Sequence, residues 1–108
     1  MTLKELVNDI ECTISKNPDT EIKGIAYDSR KVKEGYLFVA IKGFETDGHK
    51  YIDSAIKNGA AAVLGEEDIN GDFAYVRVKD SRRALAICGA QFYNHPERKL
   101  KIIGITDL

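Results

Sequence analysis

The run Tyr36-Leu37-Phe38-Val39-Ala40-Ile41 constrains the fold more than any other stretch of this chain. Apolar residues in unbroken succession leave no polar face. A strand there must be covered on both sides, which is the pattern of a central strand in a parallel sheet whose crossover helices lie over both faces. The neighbouring segments agree. Ala60 to Leu64 and Phe73 to Val78 read as further strands, the latter with Arg77 facing outward. Tyr51, Ile52, Ala55 and Ile56 recur at helical spacing, as do Ala84, Leu85, Cys88 and Phe92. Strands alternating with helices predict βαβ units and a largely parallel sheet.

Local signals punctuate this pattern. Thr2 and Glu5 have the spacing of a capping box ahead of Leu3, Leu6, Val7 and Ile10. Glu11 to Lys16 reads as an edge strand, Asn17-Pro18-Asp19 as a turn, and Glu21 to Tyr27 as a strand. Asp47 is a candidate N-cap for the middle helix, and Gly59 its C′ residue. Asp80 or Ser81 caps the next helix, and Pro96 stops it. Ile102 to Ile105 reads as a last strand. The expected architecture is α/β: a single domain with a mixed, mostly parallel sheet and flanking helices.

Charge excludes some functions. Lys and Arg number 16 against 17 Asp and Glu, a net charge of −1, so no excess of cations is available to displace counterions from nucleic acid. No apolar run approaches the length that spans a bilayer, and Met1 to Leu6 lacks a signal-peptide h-region, so no membrane partner and a cytoplasmic location are expected. Cys12 and Cys88 match no metal or redox spacing and read as reduced thiols. The acidic run Glu66-Glu67-Asp68 reads as a solvated loop, because it lacks EF-hand spacing; no metal site is expected. No phosphate loop of the form Gly-x-x-x-x-Gly-Lys-Ser/Thr occurs in the 108 residues.

Ligands of open α/β sheets bind beyond the carboxyl ends of the strands. Two loops lie there. The first carries Asp28-Ser29-Arg30, an acceptor, a hydroxyl and a five-donor cation that could hold a nucleobase, ribose or phosphate, or could pair internally and fix the turn. The second, Gly43 to His49, contains Phe44, Glu45, Thr46 and Asp47. It leads into a helix N-terminus that favours an anion. The alternative for it is a plain surface loop. His49 reads as a packing or capping residue near its helix start, and His95 as a surface turn residue.

Taken together and in order, these residues resemble the N-terminal domain of the Mur ligases of peptidoglycan synthesis. The resemblance runs through Asp28-Ser29-Arg30-Lys31-Val32, Gly35 to Gly43, Asp47-Gly48-His49-Lys50-Tyr51-Ile52 and Gly59 to Leu64. It continues through Val78-Lys79-Asp80-Ser81-Arg82, Phe92-Tyr93 and Pro96 to the strand Leu100–Thr106. It implies an N-terminal domain over residues 1–106 that binds the UDP end of a precursor. Asp107-Leu108 then stands at the chain end, where the ATP loop of a central domain would begin. Such a chain alone would be inactive and would hold no cofactor; ATP and Mg2+ would belong to the parent enzyme, with its central and C-terminal domains. The implied partner is UDP-N-acetylmuramoyl-dipeptide. Phe92-Tyr93-x-x-Pro96 points to the ATP-dependent amide ligase that adds the third amino acid to UDP-N-acetylmuramoyl-alanyl-glutamate. The D-alanyl-D-alanine-adding ligase and a non-catalytic interaction module are the alternatives. By matched position, Tyr27, Ser29, Phe44, Glu45 and Thr46 would contact the uridine nucleotide, with Asp28, Arg30, Asp47 and His49 supporting them.

Overall fold

The computed structural model describes residues 1–41, 48–69 and 71–93. Five strands, β1 (Cys12–Ile14), β2 (Gly24–Ala26), β3 (Tyr36–Val39), β4 (Ala62–Gly65) and β5 (Ala74–Val78), form one sheet in the order β1-β5-β4-β3-β2. Strands β2 to β5 are parallel, in registers such as Ile25 opposite Leu37, Phe38 opposite Val63, and Val63 opposite Tyr75. β1 closes one edge antiparallel to β5, with Thr13 opposite Arg77. The sheet is therefore mixed and mostly parallel, as expected.

Both faces of β3 are buried, and alternation divides its side chains between two cores. Leu37 and Val39 join Leu64 and Val76 beneath helices α1 (Leu3–Leu6) and α3 (Ser81–Tyr93), which contribute Leu3, Leu6, Ala84, Cys88 and Phe92. Phe38 and Ala40 face the opposite way, toward Val63, Tyr75, Val32 and helix α2 (Ile52–Lys57) with Ile52 and Ala55. Burial in the first core pushes the Cys88 thiol up to about 12, which leaves it protonated and unreactive.

Helix α1 is one turn long and depends on its cap. Thr2 Oγ1 accepts the Glu5 N–H at 3.2 Å, and Glu5 Oε1 accepts the Thr2 N–H at 2.9 Å. The N–H groups of Leu3 and Lys4 donate to the Thr20 and Pro18 carbonyls, both at 2.8 Å, so further free donors of the first turn are used. The Asn17 turn is present, with Asn17 at φ 52°. The strand expected over Glu21 to Tyr27 is shorter. Its first half leaves the sheet, because Ile22 is buried against α1 and its N–H donates to the Met1 carbonyl at 2.8 Å.

The middle helix also differs from expectation. It enters through a 3-10 turn, Gly48–Tyr51, and becomes α-helical at Ile52. Its short α segment gives little aligned dipole at the strand ends. Ile52 and Ala55 are buried as predicted, but Tyr51 turns outward. Gly59 follows the Asn58 C-cap at φ +106°. A Cβ there would sit 2.8 Å from Glu34 Cα. At the start of α3, Asp80 Oδ1 accepts the Arg82 and Arg83 N–H groups, both at 3.1 Å. Glu66 corrects the reading of its acidic run as solvated: its carboxylate accepts the Ser81 N–H and hydroxyl, each at 2.8 Å.

Phe44, Glu45, Thr46 and Asp47 lie outside the described residues, as do His95, Pro96, the strand expected at Ile102 to Ile105 and the boundary at 106. Among the described residues no helix is long and apolar enough to cross a membrane. Gly59→Ala is expected to destabilise the fold by about 1–3 kcal/mol through its backbone angle, with the Glu34 collision added. A lowered urea midpoint at unchanged slope would show it.

Candidate functional site

The connection after β2 and the helix that crosses behind β3 enclose an open cleft of about 890 Å3. One wall is Tyr27 to Arg30, at the carboxyl end of β2 and in the 3-10 turn Ser29–Lys31. The other wall is a stripe of α2 and its entering turn: Tyr51, Ser54 and Asn58, spaced one and two helical turns apart, with Lys57 beside them. The neighbouring stripe, Ile52 and Ala55, faces the sheet. The same helix thus covers the core with one side and lines the cleft with the other.

Ile41 and Gly48 bring the ends of the second loop together at the cleft. The Gly48 N–H donates to the Ile41 carbonyl at 2.7 Å. A Cβ on Gly48 would lie 2.6 Å from Ile41 N and 2.9 Å from Ile41 O, both backbone atoms that cannot move aside. Gly48 is therefore required by close backbone approach. The two walls are also joined directly, since Asn58 Nδ2 donates to the Ser29 carbonyl at 2.7 Å.

The first wall supports itself. Asp28 caps its own turn by accepting the Arg30 N–H at 2.9 Å. It also takes Arg30 Nε at 3.1 Å and Nη2 at 2.9 Å, a two-pronged pair. Internal pairing of Asp28 with Arg30, one of the alternatives read from residue types, is what the structure contains. Hydrogen bonding from Arg30 holds the Asp28 carboxyl at about 2, and Asp28 raises Arg30 in turn. Ser29 is buried between them. Among the described residues the exposed large hydrophobic side chains are Tyr27, at 63%, and Tyr51, at 44%, and both line this cleft. Exposed aromatic surface gathered in one concavity, rimmed by polar groups, marks a ligand site.

The structure thus brings Tyr27, Asp28, Ser29 and Arg30 together in one wall. Phe44 to Asp47 are outside the described residues. His49 lies next to Gly48 but behind the cleft, where its Nε2 accepts the Glu66 N–H at 2.9 Å. Sequence reasoning assigned Tyr51 to the apolar helix face and did not nominate Ser54, Lys57 or Asn58. Their signal was the polar stripe adjoining Ile52 and Ala55, which gains meaning once α2 is seen to pack against the Ser29 turn. Among the described residues no group of three or more His, Cys, Asp or Glu could hold a metal ion.

Because the Asp28 carboxyl is lowered in the fold, its pairing stabilises the native state above the ordinary carboxyl range. That contribution is lost as pH falls toward about 2. Side-chain carboxyl NMR is expected to find Asp28 still ionised at about pH 3, and Arg30→Ala to raise its midpoint part of the way toward about 3.9, because the backbone N–H of residue 30 still donates to the carboxylate.

The chain is 48% identical over 108 residues to the UDP-N-acetylmuramoyl-L-alanyl-D-glutamate–2,6-diaminopimelate ligase of Caldanaerobacter subterraneus, covering 98% of this chain and 22% of that protein. It is 45% identical over 111 residues to the ligase of the same name from Clostridium botulinum, covering 98% and 23%. A solved structure of the UDP-N-acetylmuramoylalanyl-D-glutamyl-2,6-diaminopimelate–D-alanyl-D-alanyl ligase from Acinetobacter baumannii matches with a TM-score of 0.74 and 33% identity, over 83% of this chain and 21% of that one. The chain therefore spans about a fifth of the length of the curated relatives it matches. Residues 21–97 match the family described as Mur ligase family, catalytic domain, and the chain belongs to the Mur ligase family.

Proposed function

We propose that this chain is the uridine-nucleotide-binding part of a ligase that adds the third amino acid to UDP-N-acetylmuramoyl-alanyl-glutamate. The observation that carries the reading is the cleft, in which Tyr27 and Ser29 lie beside the pinched Ile41–Gly48 junction. The high identity to relatives named as diaminopimelate-adding ligases supports the third-residue assignment. The D-alanyl-D-alanine-adding reaction is the second reading, favoured by the backbone match to the Acinetobacter enzyme. The sequence relatives are more similar and cover more of the chain, so the first is preferred.

In this proposal the cleft grips the non-reacting end of the precursor. Tyr27 or Tyr51 supplies an aromatic face for the base. Ser29 presents a hydroxyl and its backbone beside it, and the Asp28–Arg30 pair keeps that turn rigid. Phe44, Glu45 and Thr46 keep the role that the resemblance gives them, and Asp47 remains a supporting residue. Holding a remote handle lets binding energy register the distant carboxylate for reaction and lowers the entropic cost of the chemical step.

ATP and Mg2+, which the family uses, do not fit this chain. It carries no phosphate-loop sequence, and its described residues offer no cluster of metal donors. The amide-forming reaction, the central and C-terminal domains as partners, the cytoplasmic location and the inactivity of the chain alone all belong to the proposal.

Titrating the chain with UDP and following backbone amides by NMR tests the reading. Saturable shifts are expected at Tyr27, Ser29 and Tyr51 at millimolar ligand. Shifts confined to the β1 edge, or none, would reject it and favour a non-catalytic interaction module. Tyr27→Ala or Tyr51→Ala, whichever residue stacks on the base, is expected to weaken UDP by about 1–3 kcal/mol.

A further inference from the structure

His49 directly follows Gly48, the residue that closes the cleft against Ile41. Its Nε2 accepts two backbone N–H groups, from Glu66 at 2.9 Å and from Glu67 at 3.3 Å. A ring nitrogen that accepts must carry a lone pair, so this imidazole is neutral and its proton sits on Nδ1. Glu66 and Glu67 are the first residues beyond β4. The contact therefore ties the turn at the cleft to the carboxyl end of a central strand.

The far side of that contact is fixed. The Tyr75 hydroxyl donates to the Glu67 carbonyl at 2.5 Å, and Arg77 Nε donates to the Glu66 carbonyl at 3.3 Å. The Glu66 carboxylate is committed to the start of α3 through Ser81. Gly65 makes room for the ring: a Cβ there would lie 2.7 Å from both His49 Nε2 and the Tyr75 hydroxyl. The segment that His49 grips is thus held from β5 and α3.

We propose that His49 is a positioning residue for the cleft, whose neutral Nε2, seated on the Glu66 and Glu67 N–H groups, fixes the Gly48 wall and so sets affinity for a uridine nucleotide. The inference rests on the uridine-nucleotide reading above. Protonation turns Nε2 into a donor aimed at two donors. It strips both N–H groups of their acceptor and frees the turn. Among the described residues, Glu66 and Glu67 meet the ring through their N–H groups, Tyr75 and Arg77 on β5 hold the carbonyls of those two residues, and the Glu66 carboxylate is taken by Ser81 on α3.

The test uses UDP-N-acetylglucosamine, whose phosphate charge does not change near neutral pH, with affinity and the His49 ring signals read by NMR on the same samples. For the wild type, affinity is expected to fall as His49 takes up its proton. His49→Gln, which retains an acceptor, is expected to bind as the wild type does and to lose that pH dependence. His49→Leu is expected to bind about five-fold more weakly with a dispersed, native amide spectrum. Equal pH dependence in wild type and His49→Gln would overturn the proposal, and this comparison holds even if the leucine variant fails to fold. A wild type that binds the probe at no pH would instead reject the uridine reading and this inference with it.

Discussion

The double burial of β3 is the constraint from which the rest of the structure follows. Leu37 and Val39 need a layer on one side, and Phe38 and Ala40 need another on the other side. A strand in that position cannot be an edge. The chain leaving it must pass over one face to reach β4 in parallel, and α2 is that passage. Ile52 and Ala55 bury one side of α2 over Phe38 and Val63, so its opposite stripe is left to face the turn after β2. The cleft is the space between a helix required by the core and a turn required by the neighbouring strand.

Within that frame the cleft is held by short-range polar geometry more than by charge. The Asp28–Arg30 pair satisfies itself, and the Asn58–Ser29 bond locks turn to helix. Gly48 lies so close to the Ile41 backbone that no other residue fits without displacement. Behind it, His49 reaches the end of β4. The cleft carries a compensated ion pair, two exposed tyrosines and the single further cation Lys57 among its described lining residues. This surface suits a ligand with an aromatic base and an anionic group, in line with the proposed handle-binding role.

Much of the architecture was legible because its causes are local. The capping box at Thr2, the turn at Asn17, the C′ glycine at Gly59 and the cap at Asp80 each involve residues a few positions apart. The sidedness of β5, with Arg77 exposed, follows from alternation. The candidate site was legible in part: Asp28 to Arg30 could be placed at a strand end, and their mutual pairing could be weighed from residue types. Tyr51 was misassigned because periodicity counts a tyrosine as apolar and cannot see that its turn is 3-10. Glu66 and His49 were obscured because their partners lie 15 and 17 residues away, across β5 for the first and across α2 and β4 for the second.

The amino-acid order alone determined that the chain would build a parallel-rich α/β sheet, that the Tyr36 strand would lie inside it with both faces covered, and where α1 and α3 would begin. Those outcomes depend on hydrophobic period, backbone preference and hydrogen bonds within one turn, all readable from neighbours in sequence. Only the tertiary structure decided that Tyr27 and Tyr51 share a cleft, that Glu66 caps a helix and that His49 bonds to the end of β4. Each requires two elements to meet at one register, and that meeting is set by how the whole sheet packs.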